Sequence, residues 1–119
     1  MKTNELTGTA LDWAVATCEG FTDYDHYTET MMPPRKGYGR VYMDEYSYST
    51  DWARGGPIIE KERIQLRGSF PEEAPDWTAS LWCNNTTIQE DGPTPLIAAM
   101  RCYVASKLGE DVDVPEEIK

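Results

Sequence analysis

Two short stretches of this chain hold residues whose types and spacing suit ligand chemistry. The first is Ser49-Thr50-Asp51-Trp52-Ala53-Arg54-Gly55-Gly56-Pro57. Ser49 or Asp51 can cap a short helical turn, Trp52 offers a stacking face, and Gly55 and Gly56 let backbone approach closely. With Thr50 and Arg54 beside them, such a turn suits a planar, phosphate-bearing ligand. The same residues also make a tight corner buried under Trp52. The second stretch is Gly92-Pro93-Thr94-Pro95, with Arg101 nearly two turns into the helix it opens. Amides at a helix N-terminus favour anions, and Arg101 adds a bidentate contact if it points the same way. The competing reading is a structural cap, with Arg101 in a core salt bridge to an acid such as Asp51.

Arg101 needs a partner on either reading. At about 100° per residue, Ile97, Val104 and Leu108 fall on one stripe of the helix, and Arg101 falls among them. A cation there requires a carboxylate, a backbone carbonyl or a bound anion.

Other chemistry is mostly missing. The one histidine, His26, stands in a polar loop away from any cysteine or serine motif, which removes most nucleophile–base dyads and zinc spacings. No phosphate-binding loop or dinucleotide fingerprint occurs. Arg35-Lys36-Gly37-Tyr38-Gly39-Arg40 could touch a phosphate, but such a run is more often a plain turn before a strand. Asp23, Asp25, Asp44, Glu45 and Asp51 lack a ligand spacing and read as a solvated surface. The chain is therefore expected not to be an enzyme, and to need no cofactor or metal.

The bulk composition fits one folded domain of 119 residues. A net charge of −10 argues against general nucleic-acid binding, which depends on lysine and arginine releasing counterions. It leaves room for one small anionic molecule in a local pocket, and it suits docking on a basic surface. Cys18, Cys83 and Cys102 are odd in number with no C-x-x-C spacing, which fits a reducing cytosol. No window reaches the length of a membrane span.

The elements that would position these residues follow from periodicity and caps. Residues 7–19 read as a helix with Leu11, Ala14, Val15 and Cys18 on its inner stripe and Trp13 turned away. Residues 21–36 read as a long loop, 40–43 as a short strand, 48–57 as a tight turn, and 58–66 as either helix or strand. Residues 69–76 form a polar connection. Residues 77–82 alternate as a strand, with Trp77, Ala79 and Leu81 on one face. Residues 84–91 turn the chain, with room for a strand at 86–89. Thr94, Pro95 and Gly109 bound the helix 96–108. The fold class is α+β: two helices on a small, mostly antiparallel sheet, in a single domain over 1–109. The acidic tail 110–119 is expected to fray. The last helix is apolar nearly all round and needs cover on more than one side, so a homo-oligomer is expected.

Three of these segments resemble the NinX-like proteins of lambdoid phages, a family known as a domain of unknown function. The resemblance rests on Glu5-Leu6-Thr7-Gly8 with Leu11-Asp12-Trp13-Ala14-Val15-Ala16, and on Tyr48-Ser49-Thr50-Asp51-Trp52 with Gly55-Gly56-Pro57-Ile58-Ile59-Glu60. It extends to Gly92-Pro93-Thr94-Pro95-Leu96-Ile97-Ala98-Ala99-Met100-Arg101, while 21–45 and 69–91 carry little of the pattern. It implies a phage or prophage accessory gene, non-essential and working in the bacterial cytoplasm, and supplies no catalytic residue. The expected function is to bind and sequester a small, nucleotide-like anion, countering host defence signalling. The alternative is an acidic protein-interaction factor that inhibits or redirects a host protein.

Overall fold

The computed structural model describes residues 1–37, 39–68 and 76–118. Along the chain, α1 (Gly8–Cys18) precedes β1 (Thr22–Asp25), β2 (Thr30–Met32) and β3 (Val41–Tyr42). Then come α2 (Trp52–Glu62), β4 (Gln65–Gly68), β5 (Trp77–Cys83), β6 (Thr86–Gly92) and α3 (Pro95–Leu108), with short 3-10 turns at Thr3–Glu5, Met43–Tyr46 and Glu116–Ile118. The strands form two antiparallel sheets, ordered β1-β2-β3 and β4-β5-β6. The α+β class holds, with one more helix and one more sheet than the sequence suggests.

The two expected helices form for the expected local reasons. Thr94 accepts a hydrogen bond from the Ile97 N–H at 3.1 Å, and Pro95 occupies the first helical position of α3. In α1, Gly20 takes φ +100°, and Phe21 and Gly20 donate back to the Ala16 and Thr17 carbonyls, closing the helix in a Schellman motif. Leu11, Ala14 and Val15 are buried, Cys18 partly so, and Trp13 is half-buried against the core.

Between them the chain departs from the sequence reading. The tight turn at 48–57 is the start of α2, which carries Gly55, Gly56 and Pro57 inside it. Asp51 caps this helix by accepting from the Ala53 N–H at 2.9 Å. Gly55 is required by tertiary packing: a Cβ there would lie 2.5 Å from Leu96 Cδ1 and 2.7 Å from the Tyr48 carbonyl. The ambiguous stretch 58–66 divides, its first half finishing α2 and its second opening β4. The loop at 21–36 contains β1, whose residues are polar, and β2, whose Thr30 and Met31 are buried but which at three residues is too short to show alternation. The turn at 84–91 shrinks to Asn84-Asn85, both at positive φ (51° and 62°) as a two-residue hairpin needs. From there β6 pairs with β5 along its length, from Cys83↔Thr86 to Trp77↔Gly92. Residues 69–75 and Tyr38 lie outside the described residues.

The last helix is covered on several sides by its own chain: β5 and β6 on one, α1 and α2 on others. The homo-oligomer expected from this helix therefore needs a different face. Its buried residues include Leu96, Ala99, Met100, Cys102 and Tyr103, whereas Ile97 and Arg101 are partly exposed and Leu108 exposed. The stripe shared by Ile97, Arg101 and Leu108 is thus the outer side, with Val104 the buried exception. A helix apolar all round gives no periodic signal for which side faces out, and the cation decides it.

The first residues of the acidic tail are tied back to the start of the chain. Met1 and Val112 exchange hydrogen bonds at 2.9 and 2.8 Å, the Thr3 N–H reaches the Glu110 carbonyl at 2.8 Å, and Val112 and Val114 are buried. Alternating apolar residues at 112 and 114 anchor it against the first residues of the chain. No helix among the described residues is long and apolar enough to cross a membrane.

Candidate functional site

A cleft of about 490 Å³ opens where β6 runs into α3. It is lined by Asn4, Asp76, Gln89, Glu90, Asp91, Gly92, Pro93 and Arg101. Such a volume falls in the range of small-molecule and side-chain sites. Of the residues singled out from sequence it contains Gly92, Pro93 and Arg101.

Arg101 is engaged with the chain itself. Its Nε donates to the Leu6 carbonyl at 2.8 Å and its Nη1 to the Asp91 carbonyl at 2.9 Å, tying α3 to the N-terminal turn and to β6. Of the three partners the sequence allowed, the backbone carbonyl is the one found, and Asp51 instead caps α2. Burial lowers the Arg101 pKa from its ordinary value, opposed by Glu90 and Asp76. The same surroundings act on Glu90: burial raises its carboxyl, Arg101 pulls it down, and Asp91 and Glu110 push it up again. Asp91 Oδ1 accepts from the Thr78 hydroxyl at 2.8 Å. Carboxylates therefore outnumber the one guanidinium here, and an anion entering the cleft meets repulsion from Asp76, Glu90 and Asp91.

The residues around α2 do not join this cleft. Ser49 is buried at 2% exposure, and its N–H donates to Asp12 Oδ1 at 2.8 Å. Its Oγ makes no hydrogen bond among the described residues. Burial raises the Asp12 pKa, with Ser49 pulling the other way. Thr50 is exposed and Asp51 is the α2 cap. Trp52 is 52% exposed at the first turn of α2, so it covers no buried corner. Gly55 is packed under Leu96, and Gly56 has no neighbour within 4 Å of a would-be Cβ. Arg54 lies with its guanidinium 4.2 Å above the Tyr46 ring and borders a separate cleft of about 260 Å³ with Glu19, Tyr48, Pro57, Ile58 and Lys61. Thr94 serves as the α3 cap. The two constellations touch through Gly55 and Leu96 but open to different clefts.

The acids of the β6–α3 cleft escape a sequence reading because Gln89-Glu90-Asp91 looks like a turn. The available signal was their position immediately before a capped helix. Elsewhere, Arg40 of the glycine-bearing turn binds Asp23, through a 3.0 Å ion pair, and Thr30, joining β1 to β2. His26 lies 4.0 Å from Glu117. Among the described residues, no three His, Cys, Asp or Glu side chains are grouped to hold a metal ion.

Comparison with known sequences places this geometry in a family. No curated protein matches the chain. The family model described as Bacteriophage P22, NinX matches residues 2–107, from the N-terminal turn to the last turn of α3. That span takes in Arg101 and each described wall of the cleft, and the chain belongs to the NinX family of phage proteins.

Proposed function

We propose that this phage accessory protein is an acidic docking factor that receives a basic side chain of a host protein in the β6–α3 cleft. One observation carries the reading. Among the described residues, the one cation lining the cleft is committed to the Leu6 and Asp91 carbonyls, while Asp76, Glu90 and Asp91 line it too, with Glu110 close enough to act on Glu90. Asn4 and Gln89 add neutral hydrogen-bonding groups at the rim. A lysine or arginine entering there replaces carboxylate repulsion by attraction, and the chain's charge of −10 steers a basic surface toward it.

The test is capture from host lysate, followed by affinity against salt for the captured partner. Glu90→Gln with Asp91→Asn weakens capture by roughly tenfold or more, since hydrogen bonds to charged groups contribute about 1.5–3 kcal/mol. The same pair of changes reduces the salt dependence. Neutralising Asp113 on the tail leaves both unchanged. Binding indifferent to salt and to Glu90 and Asp91 overturns the reading.

The small-anion reading keeps one supporting observation. Arg54 and Lys61 border the 260 Å³ cleft, whose carboxylate, Glu19, accepts from the Tyr103 hydroxyl at 2.6 Å. Sequestration of a nucleotide-like anion there, and with it any action against host signalling, requires a thermal shift that Arg54→Ala removes and Glu90→Gln leaves intact.

A further inference from the structure

The most exposed tryptophan of the described residues was singled out by no motif. Trp82 is 68% exposed on the outer face of the β4-β5-β6 sheet, opposite in alternation to buried Ala79 and Leu81. It borders a cleft of about 460 Å³ with Glu62, Arg63, Gln65, Ser80, Leu81 and Thr87. We propose that this cleft binds a planar heteroaromatic molecule of the nucleobase type. The ring stacks on the Trp82 indole, its polar edge meets Gln65, Ser80 and Thr87, and an acidic substituent meets Arg63.

Strand register assembles the site. Gln65 pairs with Ser80 and Leu66 with Ala79, and Arg63, which ends α2 just before β4, lines the same cleft as Trp82. On the other side Trp82 pairs with Thr87. Arg63, Gln65, Ser80, Trp82 and Thr87 therefore share one outward patch across three consecutive segments. Arg63 sits at φ 56°, the left-handed position that ends α2, where glycine is the usual occupant. An arginine there places a guanidinium-bearing side chain at the junction of helix and sheet, beside the aromatic face.

Charge separates this cleft from two of the others. Its one carboxylate, Glu62, is largely shielded and lies 3.5 Å from Lys107. The β6–α3 cleft carries Asp76, Glu90 and Asp91, and a smaller one carries Asp12, Glu29 and Asp44. In a chain of charge −10, the Trp82 cleft is thus a place where an acidic substituent meets arginine with its nearest carboxylate already paired. The buried centre of a protein–protein contact is more apolar than the surface around it. The neighbours of Trp82 on its own face are instead polar, which suits one ring and its hydrogen-bonding edge.

The experiment is tryptophan fluorescence titration with adenosine, guanosine, cytidine and uridine, their 5′-monophosphates, and inorganic phosphate as an anion without a ring. At least one base-bearing probe quenches saturably in the wild type and in Trp52→Phe, while phosphate does not. Trp82→Phe loses the signal, and Trp82→Ala weakens binding measured by calorimetry by roughly ten- to a hundredfold, the span of base–aromatic stacking. Arg63→Ala weakens the monophosphate more than its nucleoside. Glu90→Gln with Asp91→Asn leaves the titration unchanged, which keeps this site independent of the docking reading. The absence of saturable quenching at millimolar probe, or equal quenching in Trp82→Phe, overturns the proposal. So does a Trp82→Phe variant that turns a self-associated wild type monomeric, since the face is then an interface between copies.

Discussion

Replacing Arg101 by alanine separates a structural tie from a ligand hook. In the free protein the guanidinium holds two carbonyls, that of fully buried Leu6 at 2.8 Å and that of exposed Asp91 at 2.9 Å. Losing the donor to a buried carbonyl costs about 1–3 kcal/mol, whereas water replaces the donor to an exposed one. Two smaller effects oppose each other: removing a partly buried cation relieves its desolvation, but Glu90 and Asp76 lose its counter-charge. The expected net loss is about 2 kcal/mol, which for a domain of this size lowers Tm by about 8 °C. Urea unfolding of wild type, Arg101→Ala and Arg101→Lys measures it, with unchanged m-values showing that the unfolded state is the same. Lysine, which cannot span both carbonyls as the planar fork does, falls between the two. Restoring neutrality with Glu90→Gln in the Arg101→Ala background recovers part of the loss. If Arg101→Ala is as stable as wild type, the guanidinium is not a tie, and its donors must serve something outside the chain.

Adjacent glycines of α2 respond in opposite directions. Gly55→Ala drives a methyl against Leu96 and the Tyr48 carbonyl, an overpacking cost of about 1–3 kcal/mol that exceeds the helix gain of about 1 kcal/mol, whereas Gly56→Ala meets nothing and stabilises by about 0.5–1 kcal/mol in the same unfolding assay. Burial raises the carboxyls of Asp12 and Glu90, so the folded chain binds protons more tightly than the unfolded one, and the cost of keeping these two groups charged is relieved as pH falls from neutral toward their folded-state values. Asp12→Asn with Glu90→Gln keeps the oxygen that accepts from Ser49 and flattens the rise of Tm on acidification; an unchanged profile refutes the assignment. Burial pushes the Cys18 and Cys102 thiols up to about 12, so both resist alkylation at mildly alkaline pH in the native protein and react only after unfolding, as mass spectrometry of labelled peptides reads directly.

What the sequence disclosed follows from how locally each element is specified. Thr94, Pro95 and Gly109 bound α3 by groups within a turn of its ends, and Gly20 does the same for α1, so both were legible. The strand at Trp77 announced itself by alternation, because one face of its sheet meets α3 and the other meets solvent. The second helix was hidden, since Gly55-Gly56-Pro57 reads locally as a break. The side chain of Leu96, some forty residues on, and the Tyr48 carbonyl explain why glycine is there. Strand β6 was legible only in its first half, at 86–89, because Thr86-Thr87-Ile88-Gln89-Glu90-Asp91 contains a single aliphatic residue, and its partner β5 holds the rest by backbone bonds. The site divides in the same way. That Arg101 must be paired was legible from its neighbours. Which groups surround it was not, because that depends on the register of β6 and on which side of an all-apolar helix faces out.

The connection between β6 and α3 joins both questions, and Gly92 is its narrowest point. A Cβ at Gly92 would lie 2.7 Å from the Ala98 nitrogen, 3.1 Å from the Ala98 Cα and 3.1 Å from Ile97 Cγ2. Two of those atoms are helix backbone and cannot swing aside, so Gly92→Ala must move the end of β6 away from the first turns of α3. That shift carries Glu90 and Asp91 with it and stretches the Arg101 bond to the Asp91 carbonyl. The expected destabilisation is about 2–3 kcal/mol, the upper part of the overpacking range because the obstacle is main chain. If the acidic cleft is a docking site, the same change weakens capture of a basic partner even at temperatures where the variant is fully folded. Glu90→Gln, which leaves the backbone in place, weakens capture without that loss of stability. A Gly92→Ala protein that unfolds early yet binds normally would mean that the juxtaposition of carboxylates and arginine is a consequence of the turn and has no part in recognition.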